Sequence, residues 1–559
     1  MHHLKRFGAC FMMLVLCLSL LAACAARREA GAAFSACVGP EMETLDPIYA
    51  EDVTAQTALV HLYENLMRVA PDGNGGTTVT GGMAKSVDVD ENYDGTVTYT
   101  FRLRSAQWSD GEKVKAQDFV YAWQRLAHPA SYSPYAELLS VVCGYEEARA
   151  EANMDLLQVR AKNDTTLEVV LDGNYDWFLT EICTSPATMP LRQDVVLALK
   201  EEGIQNSDEE GNARPWWFNP LALVTNGAYA VSAHEAGNCL TLAASETYYS
   251  DPVGPETITL SFVDSAEEGQ LLYEKKNVDA VWPLTEDRLA ELAEDEEWQA
   301  IPQLATYAVV YNGASGLFAD AGLRQAMALA VDRNTLAEAA GVAARAAEGL
   351  VPYGVPEHEE GDFRTVGGSL LDNDPETYAG RCEEAVGVLS DAGYGRGSYL
   401  GELEYLYVDE GRNAEVALAL CQQWKDVLGV RVIPKGVTTR ELWTALRSGS
   451  YTLAGIEVDA FGNDAECFLM EWTSHSQDNV AGYGSTAYDT LMSIIASAAD
   501  GTARMGCLHD AEALLLEDHV LTPLYHPETD WELRDGLTGA CRDARGWFSF
   551  AAVTAKKTS

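Results

Sequence analysis

The segment LEYLYVDEGRNAEVALALCQQWKDVLGVRVIPKGVTTRELWTALRSGSYTLAGIEV, residues 403–458, decides the fold class. Leu403–Val408 reads as a strand, Asn413–Leu428 as a helix and Val430–Ile433 as a strand. Thr438–Arg447 then reads as a second helix and Tyr451–Val458 as a third strand. This is a βαβαβ unit, which implies a parallel sheet with right-handed crossovers. Upstream, Tyr307–Tyr311 is an apolar, β-branched strand, and a long helix follows from Leu323 to about Ala340. The simplest architecture is two α/β lobes, one on each side of about residue 312.

The N-terminal half adds antiparallel structure. Phe34–Val38 reads as a first strand, and Glu43-Thr44-Leu45-Asp46-Pro47 as a turn. A helix is expected over Thr54–Met67, with Ala58, Leu62, Tyr63 and Leu66 on one face. Thr96–Leu103 alternates apolar and polar residues as a half-buried strand does, and Asp94-Gly95 closes a hairpin ahead of it. Trp108 ends an arm, Ser109-Asp110-Gly111 turns the chain, and Glu112–Val114 forms a short strand. A helix then starts near Ala116 and buries Phe119, Ala122, Trp123 and Leu126. Asp118 sits in its first turn, where a carboxylate favours the dipole. Lys115 at the cap position has no acceptor to offer, so the helix start reads as weakly capped. Leu167–Leu171 and Thr257–Phe262 are further strands, and Asn226-Gly227-Ala228-Tyr229 turns into another. No internal repeat and no low-complexity segment stands out.

The first residues indicate export. Lys5 and Arg6 precede an apolar run, Phe11–Ala23, too short to span a bilayer but long enough for a signal-peptide core. The run ends Leu21-Ala22-Ala23-Cys24, which resembles a bacterial lipobox with Cys24 as the lipidated residue. Residues 1–23 are then a leader and 24–33 a tether, and the protein is held at the outer face of the cytoplasmic membrane. The formal net charge is −47, and loss of Lys5 and Arg6 deepens it. That argues against nucleic acid and against docking on anionic lipid. Nine cysteines remain after Cys10, Cys17 and Cys24, an odd number without CxxC spacing, so neither a zinc knuckle nor a redox motif is supported.

Enzyme motifs are lacking. His234-Glu235 and His358-Glu359 have no second histidine at metalloprotease spacing, and there is no Walker loop and no GxSxG. The acidic run from Asp88 to Asp94 imitates a calcium loop. Its twelfth position counted from Asp90 is Phe101, where a bidentate glutamate belongs, so it reads as a hairpin tip. Gly393, Gly395 and Gly397 lack the spacing of a dinucleotide loop. No cofactor and no metal site is expected.

Several segments together resemble the extracellular solute-binding proteins of ABC transporters, in the large oligopeptide-binding class (peptide/nickel type, family 5). These are Trp108-Ser-Asp-Gly111, Ala116-Gln-Asp-Phe-Val-Tyr121, Trp123-Gln-Arg125 and Ser133-Pro-Tyr135. Leu45-Asp46-Pro47, Thr225-Asn-Gly-Ala-Tyr229, the Arg324 to Arg333 segment, Ala392-Gly-Tyr394, Gln423-Trp424, Leu428-Gly429 and Ala487-Tyr-Asp489 match too. The matches keep their order from about residue 35 to 525.

The resemblance implies a two-lobe, Venus-flytrap α/β fold with an extra subdomain in lobe one. Lobe one would span 34–311, with the subdomain at about 60–205. Lobe two would span 312–525, and 526–559 would return to lobe one. Trp108 and the helix aromatics then read as subdomain core. The resemblance also implies an aspartate for the peptide α-ammonium, placed here at Asp459. Gly455 and Glu457 fall where main-chain groups pair with the peptide. Glu51 and Val53 match lobe-one contacts, and Tyr135 a cleft tyrosine. An arginine that meets the peptide carboxylate in relatives is Leu453 here, a histidine is Asn413, and a cleft disulfide is replaced by Ala305 and Glu457. Asp464 and Glu466 are expected as solvated loop acids, open to a cationic side chain or a longer ligand. The expected role is a monomeric receptor that delivers oligopeptides to an ABC permease with its ATPase subunits. A surface sensor, or a receptor for a nickel chelate or sugar, is the alternative.

Overall fold

The computed structural model describes residues 33–556, except 74–75, 209–210, 251–253, 296–297, 315, 359–360, 396–399 and 499. The leader, Cys24 and nearly all of the tether lie outside the described residues, as does part of the Gly393–Gly397 run. Ala33, the expected last tether residue, begins the first strand.

Two mixed sheets carry the molecule. The first has the order Glu532–Leu533, Ala280–Val281, Ala33–Cys37, Thr257–Ser261, Cys239–Ala244, Tyr229–Glu235. The second runs Ile301–Pro302, Leu521–Thr529, Ala305–Tyr311, Leu453–Asp459, Leu403–Val408, Val432–Val437, with Ala344–Ala346 paired on Leu521–Thr529. A third sheet is antiparallel: Ala84–Glu91, Val97–Leu103, Thr166–Leu171, Val159–Asn163. Its first two strands are the expected hairpin, so the acidic run belongs to that hairpin.

The βαβαβ unit forms, with its middle strand at Val432–Val437, two residues later than expected. Thr438 and Glu441 cap the second helix reciprocally: each accepts the other's main-chain N–H, at 2.9 and 3.3 Å. The sheet is not purely parallel. Leu403–Val408 is parallel to both neighbours, but Ala305–Tyr311 is antiparallel to Leu453–Asp459 and to Leu521–Thr529. Every residue of Ala305–Tyr311 is buried, as a central strand covered on both faces must be. This strand pairs with the second sheet along its whole length, and Leu521–Thr529 stays in that sheet to its end. The chain leaves the first sheet after Ala280–Val281, enters the second at Ile301–Pro302, and returns to the first at Glu532–Leu533.

Four local expectations need correction. The first helix is Val53–Leu62, not 54–67. Its carbonyl at Leu62 accepts the Gly227 N–H at 2.8 Å, and Glu64 exchanges two hydrogen bonds of 3.0 Å with the Asn226 side chain. A Cβ on Gly227 would lie 2.4 Å from the His61 carbonyl oxygen, so only glycine lets these segments meet. The long helix divides into Ala321–Leu329 and Arg333–Ala340. Asp332 adopts an extended conformation and caps the second piece through Thr335. The helix Ala116–Ala127 is not weakly capped, because Asp118 reaches back to accept the Lys115 N–H at 2.8 Å and the Trp108 indole N–H at 3.1 Å. The short strand at 112–114 reduces to one bridge, Gln107 to Lys113.

Asp464 and Glu466 are neither solvated nor available to a ligand. Both are buried, and Arg504 donates to Asp464 at 2.8 and 3.0 Å and to Glu466 at 2.6 Å. Glu466 also accepts the indole N–H of Trp177 at 2.9 Å, which ties the extra subdomain to the second lobe. Arg504→Met strands two buried carboxylates without a counter-charge, and breaking such a network typically costs about 3–5 kcal/mol. Urea denaturation should register that loss; a change below about 1 kcal/mol would contradict the assignment.

Candidate functional site

Motif residues far apart in sequence converge to build one wall of a cleft. Asp46, in the Leu-Asp-Pro turn, accepts both terminal nitrogens of Arg125 at 2.6 and 2.5 Å, and the Trp216 indole N–H at 2.7 Å. Asp52 caps the following helix at Ala55 (2.7 Å) and accepts the Glu43 N–H at 3.3 Å. This clamp sets the segment 50–53 beside Tyr135, whose hydroxyl donates to the Ala50 carbonyl at 2.9 Å and accepts from Gln56 at 3.1 Å.

The opposite wall is the end of a strand. Leu453–Asp459 pairs with Ala305–Tyr311 over seven residues, from Tyr311 opposite Leu453 to Ala305 opposite Asp459. On its other side it meets Leu403–Val408 at Leu453 and Ala454 alone. Among the described residues, no strand covers that second edge from Gly455 to Asp459. Between the walls lies a cavity of about 540 Å³, lined by Glu51, Val53 and Tyr135 from one lobe and by Ile456, Glu457, Val458, Asp459 and Ala460 from the other. A strand seen face-on shows every second residue. Four consecutive residues of the strand, from Ile456 to Asp459, meet this cavity, so the strand presents its edge.

Five of the six expected site residues thus share one cavity. Gly455 does not line it. A Cβ there would lie 2.1 Å from the Tyr405 hydroxyl and 2.5 Å from that of Tyr307, so the glycine makes room for two tyrosines of the second core. Leu453 is wholly buried in that core, and Asn413 donates to the Val408 carbonyl at 3.1 Å. Neither stands in the cleft. Trp443, Arg447, Glu471, Arg542 and Trp547 also line the cavity and were not singled out from sequence. Trp443 had a legible signal: it is partly exposed on a helix whose buried residues are Leu442 and Leu446.

The carboxylates on the strand side are crowded. Glu457 and Asp459 reach the cleft water, yet protein hems them in. Burial, and then the Asp459 charge, push Glu457 up to about 8. Burial also raises Asp459, which accepts a hydrogen bond from Glu457. Glu471 is raised to about 8 by burial and by the charges of Asp478 and Asp459. Glu51 is raised by burial, then by Glu43 and Asp52. An empty cleft near neutral pH therefore holds protons among these acids. A cation brought to them would restore their charged forms. Among the described residues no group of acids, histidines and cysteines has metal-binding geometry.

Two lobes, an interlobe cleft, a bare strand edge and crowded acids define a ligand-binding receptor of the periplasmic-binding-protein type. The model of the bacterial extracellular solute-binding proteins, family 5 Middle, matches residues 78–480, and the chain belongs to this family. It is 28% identical over 489 residues to the probable deoxycholate-binding periplasmic protein YgiS of Escherichia coli, covering 86% of each chain. It is likewise 28% identical over 509 residues to the periplasmic oligopeptide-binding protein OppA of the same organism, covering 87% of this chain and 86% of OppA. The structure of Haemophilus influenzae OppA in complex with RPPGFSPFR superposes with a TM-score of 0.72 at 23% identity, over 95% of this chain and all of that one.

A carboxylate whose pKa is raised in the folded protein binds protons there that the unfolded chain has lost, so it destabilises the fold as pH rises from about 4.5 towards 8. Glu457→Gln should raise the melting temperature of the ligand-free protein at pH 8.5 and leave it unchanged at pH 4. An equal effect at both pH values would refute the crowding.

Proposed function

We propose that the protein captures extended oligopeptides in the cleft and hands them to an ABC permease. The observation that carries this is the uncovered edge of Gly455–Asp459. An extended peptide has unpaired N–H and C=O groups along its length, and a free strand edge satisfies them whatever the side chains. Beside that edge Asp459, with Glu457, is the counter-charge for the peptide α-ammonium. Tyr135, Glu51 and Val53 form the facing wall, and the ligand touches both walls only when the lobes are together. Binding therefore shifts the population towards the closed form, which a permease distinguishes from the open one.

Membership of a family of solute-binding proteins supports a receptor rather than an enzyme. The leader ending at Cys24 supports a lipid anchor on the outer face of the cytoplasmic membrane, and the partners are then the membrane permease and its ATPases. The receptor acts as a monomer.

Ligands that co-purify with the protein, identified by native mass spectrometry, should be peptides with free amino termini. For these, Asp459→Asn should weaken binding at least tenfold by calorimetry, since losing one partner of a desolvated charge pair costs about 2–5 kcal/mol. The melting temperature of the empty variant should not fall. Unaltered affinity would remove Asp459 from the role.

A further inference from the structure

Two arginines stand on the first-lobe side of the cleft, at the tip of one hairpin. Cys541–Arg542 pairs with Phe548–Ser549, and the turn between them closes through Asp543 N–H to the Trp547 carbonyl at 2.8 Å. Arg545 is fully engaged. It donates to both oxygens of Asp543 at 2.7 and 3.1 Å, to the Glu181 carbonyl at 2.9 Å and to the Thr184 hydroxyl at 2.8 Å, and it pairs with the Glu181 carboxylate at 3.0 Å. Its ring partner is Trp547, at 4.3 Å.

Arg542 is the opposite case. It lines the same cavity, but its Nε and Nη1 are buried with no hydrogen-bond partner among the described residues. Trp282 and Phe548 lie 5.6 and 5.8 Å from the guanidinium carbon. Aromatic faces hold a cation in place without accepting its in-plane N–H groups. The adjacent carboxylate, Asp543, is already committed to Arg545. Burial lowers the pKa of Arg542 to about 10, the sign of a charge that has lost water and gained too little in return. A buried donor left without a partner costs free energy, and the group that best balances a guanidinium charge is a carboxylate.

We propose that Arg542 receives a carboxylate of the ligand, and so provides the anionic-end anchor on the lobe facing Asp459 and Glu457. The inference rests on the cleft being a peptide site. It makes the cleft bipolar: the ammonium sits against the second lobe and a carboxylate against the first. Closure then brings each charge of one molecule to a counter-charge on a different lobe.

The test uses degenerate pools of tri- to hexapeptides with free amino termini, in three forms. One has free C-terminal carboxylates and no acidic side chains, one has the same sequences as C-terminal amides, and one has amides that contain Asp or Glu. Captured peptides are quantified by mass spectrometry with the full-length mature protein, as wild type and as Arg542→Gln. Wild type should prefer a carboxylate-bearing pool over the plain amides at least tenfold. The preferred pool tells whether the terminal or a side-chain carboxylate is held. In Arg542→Gln the preference should fall to within twofold while binding to plain amides persists. The empty variant should melt no lower than wild type, because an unsatisfied buried charge has been removed; a purely structural arginine would lower it. Equal capture of all three pools by wild type, or an unchanged preference in the variant, overturns the proposal. Capture of no pool overturns the peptide reading beneath it.

Discussion

The organising constraint is an unequal pairing. Leu453–Asp459 has a full-length partner on one side, Ala305–Tyr311, and a two-residue partner on the other. Leu403–Val408 runs parallel to it but is offset, so the contact ends at Ala454. The remaining edge carries main-chain groups that the fold does not use. An exposed edge of this kind is ordinarily an aggregation hazard. Here it lies inside a cleft, walled by the segment 50–53, Tyr135 and the hairpin at 541–549. The fold thus protects the edge from other protein chains while leaving it open to a single extended guest.

The same strand end sets the electrostatics. Residues two apart on a strand share a face, so Glu457 and Asp459 are held close enough to hydrogen-bond, and Glu471 adds a third acid. Without a guest they are frustrated and partly protonated. An ammonium group brought to Asp459 would favour the charged forms of the acids beside it. Main-chain pairing, for its part, is indifferent to side chains, and a cavity of this size and wetness tolerates variety among them.

Local pattern made much of the architecture legible. The βαβαβ unit, the Thr96–Leu103 hairpin and the Trp108 to Leu126 motif follow from periodicity and turn residues, and the structure places their elements within a few positions of expectation. What stayed hidden was non-local. The first helix stops at Leu62 because Asn226 and Gly227, over 160 residues away, compete for its backbone. Asp464 and Glu466 look like loop acids until Arg504 is brought against them. That Gly455 also makes packing room was hidden, because the two tyrosine hydroxyls that need its space come from other strands. Arg542 carried no signal at all: its significance is a lack of partners, which only a folded neighbourhood reveals.

The most direct test of the central claim is a crystal structure of the protein with its co-purifying ligand. A peptide main chain should run along the Gly455–Asp459 edge, hydrogen-bonded to it as an added strand, with its amino terminus at Asp459 and Glu457. A ligand bound elsewhere, or one that leaves that edge facing water, would contradict the claim.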